Sequence, residues 1–205
     1  DRYIDLIILS HAQTDHFTGL IDVLRRYRVG ALIYNGRAGT APSWLELAQV
    51  VKENNVPVVV LAAGDKVGYF DNRFDVLMPD KKFIGSADIN QTALISLLQS
   101  QNSKILFTGD ADSKIEGYLA QRYNLNIDVL KVAHHGSKFS SDENFLSSIS
   151  PKIAVIEVGK NSYGHPTQEV LNRLASIGAQ ILRTDKDGIV KLTIENSKIG
   201  IFKQK

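Results

Sequence analysis

YIDLIILSHAQTDHFTGL, residues 3–20, passes from an apolar run through a short polar turn into a helical pattern. Residues 3–9 are typical of a buried strand, because six of the seven side chains are large and apolar or aromatic, and Asp5 is the exception. From about residue 17 to residue 28, apolar side chains recur at helical spacing. The turn between the two holds His11, Asp15 and His16, which are side chains that coordinate metal ions. The stretch therefore predicts a strand, a candidate metal-binding turn and a helix.

Strand and helix patterns alternate through the rest of the chain. Helices are predicted at residues 42–54, 113–123, 142–149 and 168–176. Further strands are predicted at residues 31–34, 56–62, 66–70, 74–78, 92–98, 104–107, 129–132, 153–158, 180–182, 188–194 and 198–202. This mixture of hairpins and βα units indicates an α/β fold of two sheets with helices on their outer faces. The 205 residues contain no linker pattern, so we predict a single domain over residues 1–205.

The composition narrows the classes of function. Hydrophobic residues make up 43% of the chain, which is enough for a packed core, and the net charge of +2 does not by itself indicate a polyanionic partner. The chain has no cysteine, which excludes disulfides, thiolate metal sites and thiol nucleophiles. No apolar run approaches the roughly 18 residues of a membrane span, and no signal peptide is visible. Because the chain opens on Asp1, we expect its natural start to lie further upstream.

All five histidines lie in three short polar segments where hydrophobic runs end. They are His11 and His16 in the first turn, His134 and His135 in AHHGS (133–137), and His165 in YGHP (163–166). Loops at strand ends hold their side chains rigidly and leave a bound ion open to substrate. This distribution predicts a metal centre and metal-assisted hydrolysis.

Two carboxylates accompany the histidines, and each has a plainer alternative role. Asp15 could serve only as the N-cap of the helix that follows it. Asp110 in TGD (108–110) could either bind a cation or cap the next helix, although Asp112 and Ser113 compete for that capping position.

The paired histidines follow the predicted strand at residues 129–132. Adjacent side chains on an extended chain point in opposite directions, so we expect one of His134 and His135 to bind metal while the other faces substrate. His165 precedes Pro166 at the start of a predicted helix. It could contact a phosphate, act as an acid near the metal, or only shape its loop.

Five stretches together resemble the metallo-β-lactamase superfamily, and more narrowly the ComEC-like hydrolase domain of bacterial competence proteins. They are SHAQTDHFTGL (10–20), ILFTGDAD (105–112), DVLKVAHHGSKFSS (128–141), YGHPTQEVLNRL (163–174) and ILRTDKDGIVKL (181–192). They occur in the order of the family and are spread over most of the chain, from residue 10 to residue 192. The resemblance implies a four-layer αββα sandwich with a metal site at the sheet edge. It also implies phosphodiester hydrolysis, with DNA as the substrate.

The chain departs from the superfamily pattern in three places. The first motif has the form His-x-His-x-Asp-His, and ComEC-like chains often place Asp at the third position, where this chain has the neutral Gln13. The middle histidine is absent, and the segment from Asn90 to Thr92 is its expected counterpart. Superfamily members also carry several strands before the first motif. We therefore expect the first sheet to lack those strands and the domain to be N-terminally incomplete.

The departures bear on how many metal ions are held. One position has only His11, with the amides of Gln13 or Asn90 as weak helpers. The other position is built from four ligands, namely Asp15, His16, Asp110 and either His134 or His135. We expect one tightly held Zn²⁺ or Mn²⁺ and a second ion that binds weakly.

The resemblance favours a metal-dependent phosphodiesterase or nuclease with Asp15, His165, Ser137 and Lys138 as catalytic residues. Of these, His165, Ser137 and Lys138 are candidates for holding the phosphate or assisting the leaving group. Arg25, Arg26, Arg28, Lys138 and Arg183 are candidate contacts to a polynucleotide. Two alternatives remain open: a catalytically weak module that binds nucleic acid, favoured by Gln13, and a hydrolase of a small phosphodiester. DNA is the expected partner, together with a membrane channel domain of the parent protein.

Overall fold

The computed structural model describes residues 2–205 as an α/β chain. Its strands are β1 (Tyr3–Ile8), β2 (Arg28–Tyr34), β3 (Val58–Val60), β4 (Lys66–Tyr69), β5 (Asn72–Met78), β6 (Ile95–Ser100), β7 (Ser103–Phe107), β8 (Val129–Lys131), β9 (Ile153–Ile156), β10 (Gln180–Arg183), β11 (Ile189–Glu195) and β12 (Lys198–Gln204). Its α-helices are α1 (Thr14–Arg26), α2 (Pro42–Glu53), α3 (Ser113–Arg122), α4 (Glu143–Ile149), α5 (Gln168–Ser176) and α6 (Thr184–Asp187), with 3₁₀ helices at Asn90–Thr92 and Ala133–Gly136. No helix in this described part combines the length and apolar character needed to cross a bilayer.

The strands form three sheets. The first has the order β1-β2-β3 and is parallel, and the second has the order β10-β9-β8-β7-β6-β5-β4. Strands β4 to β7 are antiparallel neighbours, whereas β7 to β10 are parallel neighbours joined by helical crossovers. Strands β11 and β12 pair only with each other. We predicted two sheets from the sequence; the separate hairpin is a third.

Four hydrophobic clusters show that the elements stack in layers. Helices α1 and α2 pack on the first sheet around Phe17 and Leu47, and helices α3 to α5 pack on the second sheet around Leu106 and Phe145. A small cluster that includes Ile33 lies between the first and second sheets. The β11–β12 hairpin packs against the second sheet through a cluster of its own. The αββα layering implied by the resemblance is therefore confirmed.

Most predicted elements agree with the structure to within a few residues, and the differences matter most at the candidate site. Helix α1 begins at Thr14, so Asp15 and His16 belong to its first turn instead of preceding the helix. The predicted strand at residues 92–98 begins only at Ile95, because a 3₁₀ helix occupies Asn90–Thr92. Helix α6 was not predicted.

Several strand ends meet at one edge of the sandwich. The register places Phe107, Lys131 and Val155 side by side, so that β7, β8 and β9 end together. The loop that follows β1 reaches the same edge, where the carbonyl oxygen of Ser10 accepts a hydrogen bond from the backbone N–H of Leu94 (2.7 Å). The polar segments that follow these strands are thereby gathered together.

Candidate metal centre

Asp110 is held at the meeting point of three loops. It follows β7 through Gly109, whose φ of +53° lies in the left-handed region. A Cβ atom on Gly109 would approach the Cβ atoms of Ala93 (3.1 Å) and Ser10 (3.3 Å), so a side chain does not fit there without displacement. The carbonyl oxygen of Gly109 also accepts a hydrogen bond from the backbone N–H of His134 (3.0 Å). The glycine thus fixes the direction in which Asp110 projects.

The carboxylate of Asp110 lies among four imidazoles. Its Oδ1 is 3.2 Å from Nε2 of His16 and 4.0 Å from Nε2 of His135. Its Oδ2 is 3.7 Å from Nε2 of His134 and 4.0 Å from Nε2 of His11. The residue is 1% exposed, and neither carboxylate oxygen has a hydrogen-bond partner. Because a buried charge without partners is costly, this arrangement fits a site for a cation.

Helix capping does not explain Asp110. Asp112 is the N-cap of α3, and its side chain accepts a hydrogen bond from the backbone N–H of Ile115 (2.9 Å). Of the two roles that the sequence left open for Asp110, capping therefore belongs to its neighbour two residues later.

The first of two ligand sets surrounds Oδ1 of Asp110. Asp15, His16, Asp110 and His135 each offer a ligand atom, and these atoms lie within 4.8 Å of one another. Oδ2 of Asp15 is 3.8 Å from Nε2 of His16 and 3.7 Å from Nε2 of His135. The Asp15 side chain is 59% exposed, and it borders a cleft of about 410 Å³ that leads to the solvent. Two imidazoles and two carboxylates suit Zn²⁺ or Mn²⁺.

The second ligand set surrounds Oδ2 of Asp110 and contains His11 and His134. Oε1 of Gln13 accepts a hydrogen bond from Nε2 of His11 (2.9 Å), while Oγ of Ser10 lies 3.0 Å from Nδ1 of the same ring. The amide of Gln13 thus holds the atom with which His11 would bind a metal ion. Among residues 2–205, this side of Asp110 has no further carboxylate.

The expectation of an extended backbone at the paired histidines was wrong. His134 (φ 49°, ψ 43°) and His135 (φ 53°, ψ 21°) both adopt left-handed conformations within the turn Ala133–Gly136. As a result both rings face Asp110, one toward each carboxylate oxygen. The carbonyl oxygen of Glu157 lies 2.8 Å from Nδ1 of His135, which orients Nε2 of that ring toward the first ligand set.

The other predicted catalytic residues lie beside the cluster in different environments. The ring of His165 is 5.7 Å from that of His134, measured between centroids. Lys138 is exposed, with its Nζ 5.2 Å from the ring centroid of Phe139. Ser137 is 2% exposed, and its Oγ accepts a long hydrogen bond from the backbone N–H of Phe139 (3.4 Å). This burial favours a role for Ser137 in shaping the loop over direct contact with a substrate.

Burial and neighbouring charges shift three groups at the site. Burial would raise the pKa of Asp110, but the surrounding imidazoles, led by His16, outweigh it and hold that pKa well below its usual range. Burial lowers the pKa of His11, and the neighbouring His16 lowers it further. Burial also lowers the pKa of His165, with smaller contributions from the paired histidines. The lowered pKa values favour neutral His11 and His165 rings and an ionised Asp110, and a metal ion binds imidazoles that are neutral and carboxylates that are ionised.

The basic residues predicted to contact a polynucleotide are not gathered at the site. Arg25 and Arg26 lie in the last turn of α1, about 15 Å along the helix from Asp15. Arg25 forms an ion pair with Glu46 (2.8 Å), and Arg183 forms one with Asp185 (2.6 Å). Arg28 begins β2, a strand whose start lies at the edge opposite the site. Only Lys138 of this group lies in a loop of the site.

The comparisons with known proteins agree with this geometry. The model of the metallo-beta-lactamase superfamily matches residues 2–159. The chain belongs to this superfamily. It is 32% identical over 203 residues to ComE operon protein 3 of Bacillus subtilis (strain 168). The matched segment covers 98% of this chain and 26% of that protein. It is 32% identical over 193 residues to competence protein ComA of Neisseria gonorrhoeae, covering 93% of this chain and 25% of that protein.

The chain spans about a quarter of the length of these curated relatives. Among solved structures, its fold is similar to that of CmlA, a diiron beta-hydroxylase from Streptomyces venezuelae, with a TM-score of 0.63. That match covers 100% of this chain and 46% of the other at 10% identity, and so it shows the fold alone. The prediction of a metallo-β-lactamase superfamily hydrolase related to competence proteins is confirmed.

The sequence did not indicate some residues that shape the site. The hydrogen bond between Gln13 and His11 and the contact from the Glu157 carbonyl to His135 depend on how the loops meet. The motif YGHP (163–166) begins with Tyr163, but the sequence indicated no function for this residue. The structure places its ring on that of His165, with 5.8 Å between the centroids.

Proposed function

We propose that the chain is a metal-dependent phosphodiester hydrolase that acts on DNA. The proposal rests on the environment of Asp110. Its carboxylate is buried, and its two oxygens have no hydrogen-bond partners. Each oxygen has two imidazole nitrogens within 4.0 Å. The similarity to a protein named as a competence protein supports DNA over other phosphodiesters.

The first ligand set, Asp15, His16, Asp110 and His135, fits a tightly held Zn²⁺ or Mn²⁺. When bound, a divalent ion supplies Lewis-acid activation of the phosphoryl group and of the attacking water. The second set, His11 and His134 with the far oxygen of Asp110, offers a weaker position because its remaining neighbour is the neutral Gln13. We therefore propose one tight ion and a second that binds weakly.

The chain itself contributes position and proton control. Asp15 stands at the mouth of the cleft, where it closes the first ligand set while remaining open to solvent and substrate. His165 lies beside His134, and its lowered pKa keeps the ring neutral near pH 7, so it can donate one N–H to a phosphoryl oxygen. The exposed Lys138 adds a positive charge on the same side.

The proposal is tested by incubating the pure protein with Mn²⁺ or Zn²⁺ and with single-stranded DNA, duplex DNA or a chromogenic phosphodiester. We expect cleavage that is lost on chelation and in the variants Asp15→Asn and Asp110→Asn. Activity that survives both the chelator and the two substitutions would exclude the metal mechanism. An inactive wild-type protein that still binds DNA would favour the binding module instead.

A further inference from the structure

Two exposed aromatic side chains stand in the loops that carry the candidate site. Tyr163 is 81% exposed and lies two residues before His165, and Phe139 is 66% exposed and follows Lys138. Neither ring contributes to the hydrophobic clusters of the core. Exposing large aromatic surface is unfavourable in water, so two such rings beside a reactive site point to a ligand that covers them.

Two ring contacts, one stacked and one edge-to-face, connect Tyr163 to the centre of the site. Its ring lies on that of His165, with 5.8 Å between centroids and 28° between planes. The His165 ring is 5.7 Å from the ring of His134, whose Nε2 is 3.7 Å from Oδ2 of Asp110. One face of the Tyr163 ring thus lies against the ring of His165, and the other face is open to the solvent.

The loop of Tyr163 is held in place by the side chain of Asn161. Its Oδ1 accepts hydrogen bonds from the backbone N–H groups of Tyr163 (3.1 Å) and His165 (3.0 Å). Its Nδ2 donates to the carbonyl oxygens of His165 (2.9 Å) and Gly159 (3.0 Å). A ring presented by a fixed loop loses little conformational entropy when a ligand stacks on it.

The loop of Phe139 is fixed in a similar way. The carbonyl oxygen of Phe139 accepts a hydrogen bond from the backbone N–H of Ser113 (2.9 Å), and Oγ of Ser140 donates to the carbonyl oxygen of Ala111 (2.7 Å). The guanidinium of Arg173, on α5, donates to the carbonyl oxygen of Ser140 (3.1 Å). Phe139 is therefore exposed on a braced loop.

The two loops also touch each other and carry positive charge. The carbonyl oxygen of Gly136 accepts a hydrogen bond from the backbone N–H of Thr167 (3.0 Å), which joins the segment before Phe139 to the segment after His165. Lys138 and Lys160 are exposed in these loops and form no ion pair with any residue of the described range 2–205. Free ammonium groups beside aromatic faces are complementary to a strand that alternates phosphates and bases.

We propose that Tyr163 and Phe139 form a base-stacking rim that makes the site selective for single-stranded DNA. Every base has a π-face that an aromatic ring can cover, whereas the faces of paired bases are already stacked inside a duplex. High exposure of an aromatic ring does not by itself indicate a stacking surface. Phe70 is 88% exposed in the β4–β5 turn, although it lies at the end of the second sheet away from the site. The proposal rests on the proposed function, since it names the form of DNA that the site accepts.

The test compares two labelled strands of equal length, an oligothymidylate and a strand of abasic sugar phosphates. Fluorescence anisotropy with metal removed measures binding of both strands to the whole chain, so hydrolysis is not needed. We expect the wild type to prefer the strand that carries bases, and Tyr163→Ala or Phe139→Ala to reduce this preference by about tenfold. Tyr163→Phe should restore it, because the ring alone provides the stacking surface. Phe70→Ala is the matched control and should retain it.

Three results would overturn the rim: a wild type that binds both strands equally, alanine variants that weaken both strands to the same extent, or an equal effect of Phe70→Ala. Hydrolysis of the chromogenic phosphodiester with added Mn²⁺ is measured in parallel and tests the proposed function separately. Hydrolysis without a preference for bases would refute the rim alone. A preference for bases without any hydrolysis would refute the hydrolase and retain the rim as a binding surface.

Discussion

Replacement of Asp110 by asparagine tests the metal centre most directly, because the two side chains have nearly the same shape and differ in charge. The carboxylate is 1% exposed and makes no hydrogen bond. Burial alone would raise the pKa of Asp110, but the surrounding imidazoles, led by His16, hold it well below its usual range. A carboxyl group whose pKa is depressed in the folded state stabilises the fold when it is ionised, so we expect Asp110→Asn to lower the melting temperature of the metal-free protein near pH 7.

The effect of added metal on the melting temperature separates a metal ligand from a purely structural carboxylate. Free metal at about a hundred times its dissociation constant stabilises a folded protein by about 2.7 kcal/mol. For a domain of this size that free energy corresponds to a rise in melting temperature of about 5–10 °C. The rise should appear in the wild type and be absent in Asp110→Asn, because Asp110 faces both ligand sets.

The assay is differential scanning fluorimetry with and without Mn²⁺ or Zn²⁺, and Asp112→Asn is the matched control. Asp112 is the N-cap of α3, a position where asparagine caps equally well. That variant should keep the metal-induced rise. If the metal-induced rise persists in Asp110→Asn, the carboxylate is structural and the proposed centre is wrong.

Three further predictions concern residues around the centre. Metal analysis after dialysis should give about one equivalent for the wild type and more for Gln13→Asp, which adds a charge beside His11; two tight equivalents in the wild type would contradict this. Burial raises the pKa of Glu116 to about 8, above its ordinary 4.5, so its contribution to stability is present below pH 4.5 and is lost as the pH rises through 8. Glu116→Gln should flatten this dependence in urea denaturation and cost about 1–3 kcal/mol, since each of the two carboxyl oxygens accepts a backbone N–H and an amide has only one oxygen that can accept. Gly109→Ala should destabilise the fold by about 1–2 kcal/mol, because its φ is positive, and should reduce the metal-induced rise; an unchanged rise would show that Gly109 does not position Asp110.

Sequence reasoning predicted the layers of the fold and the gathering of the histidines around Asp110 because both follow from local patterns. An apolar run of β-branched residues ends where the chain leaves the core, so Asp110 after β7 had to lie near a sheet edge. Parallel neighbours end at the same edge, which brings the paired histidines beside it. Helix α5, Gln168–Ser176, agreed with its predicted bounds because its apolar period is clear and Pro166 precedes it.

Features that depend on contacts between distant segments were not predictable. The left-handed turn at His134 and His135 is stabilised by a hydrogen bond to the carbonyl oxygen of Gly109, which lies 25 residues away in the sequence. The β11–β12 hairpin was read as part of a sheet, but its alternating pattern does not reveal which neighbour it joins. The exposure of Tyr163 likewise depends on a loop shaped by the hydrogen bonds of Asn161.

From the geometry around Asp110 we expect residue 13 to govern whether a second metal ion binds at the proposed centre. Each histidine motif divides its pair between the two carboxylate oxygens: His16 and His135 lie toward Oδ1, and His11 and His134 lie toward Oδ2. The Oδ1 side and the Oδ2 side of Asp110 therefore have the same number of imidazoles, two each. The two sides differ in the remaining polar neighbour. On the Oδ1 side it is the carboxylate of Asp15, and on the Oδ2 side it is the amide of Gln13. A second divalent ion would face repulsion from the first with only the shared carboxylate to offset it, so the charge at this one position separates a one-metal centre from a two-metal centre.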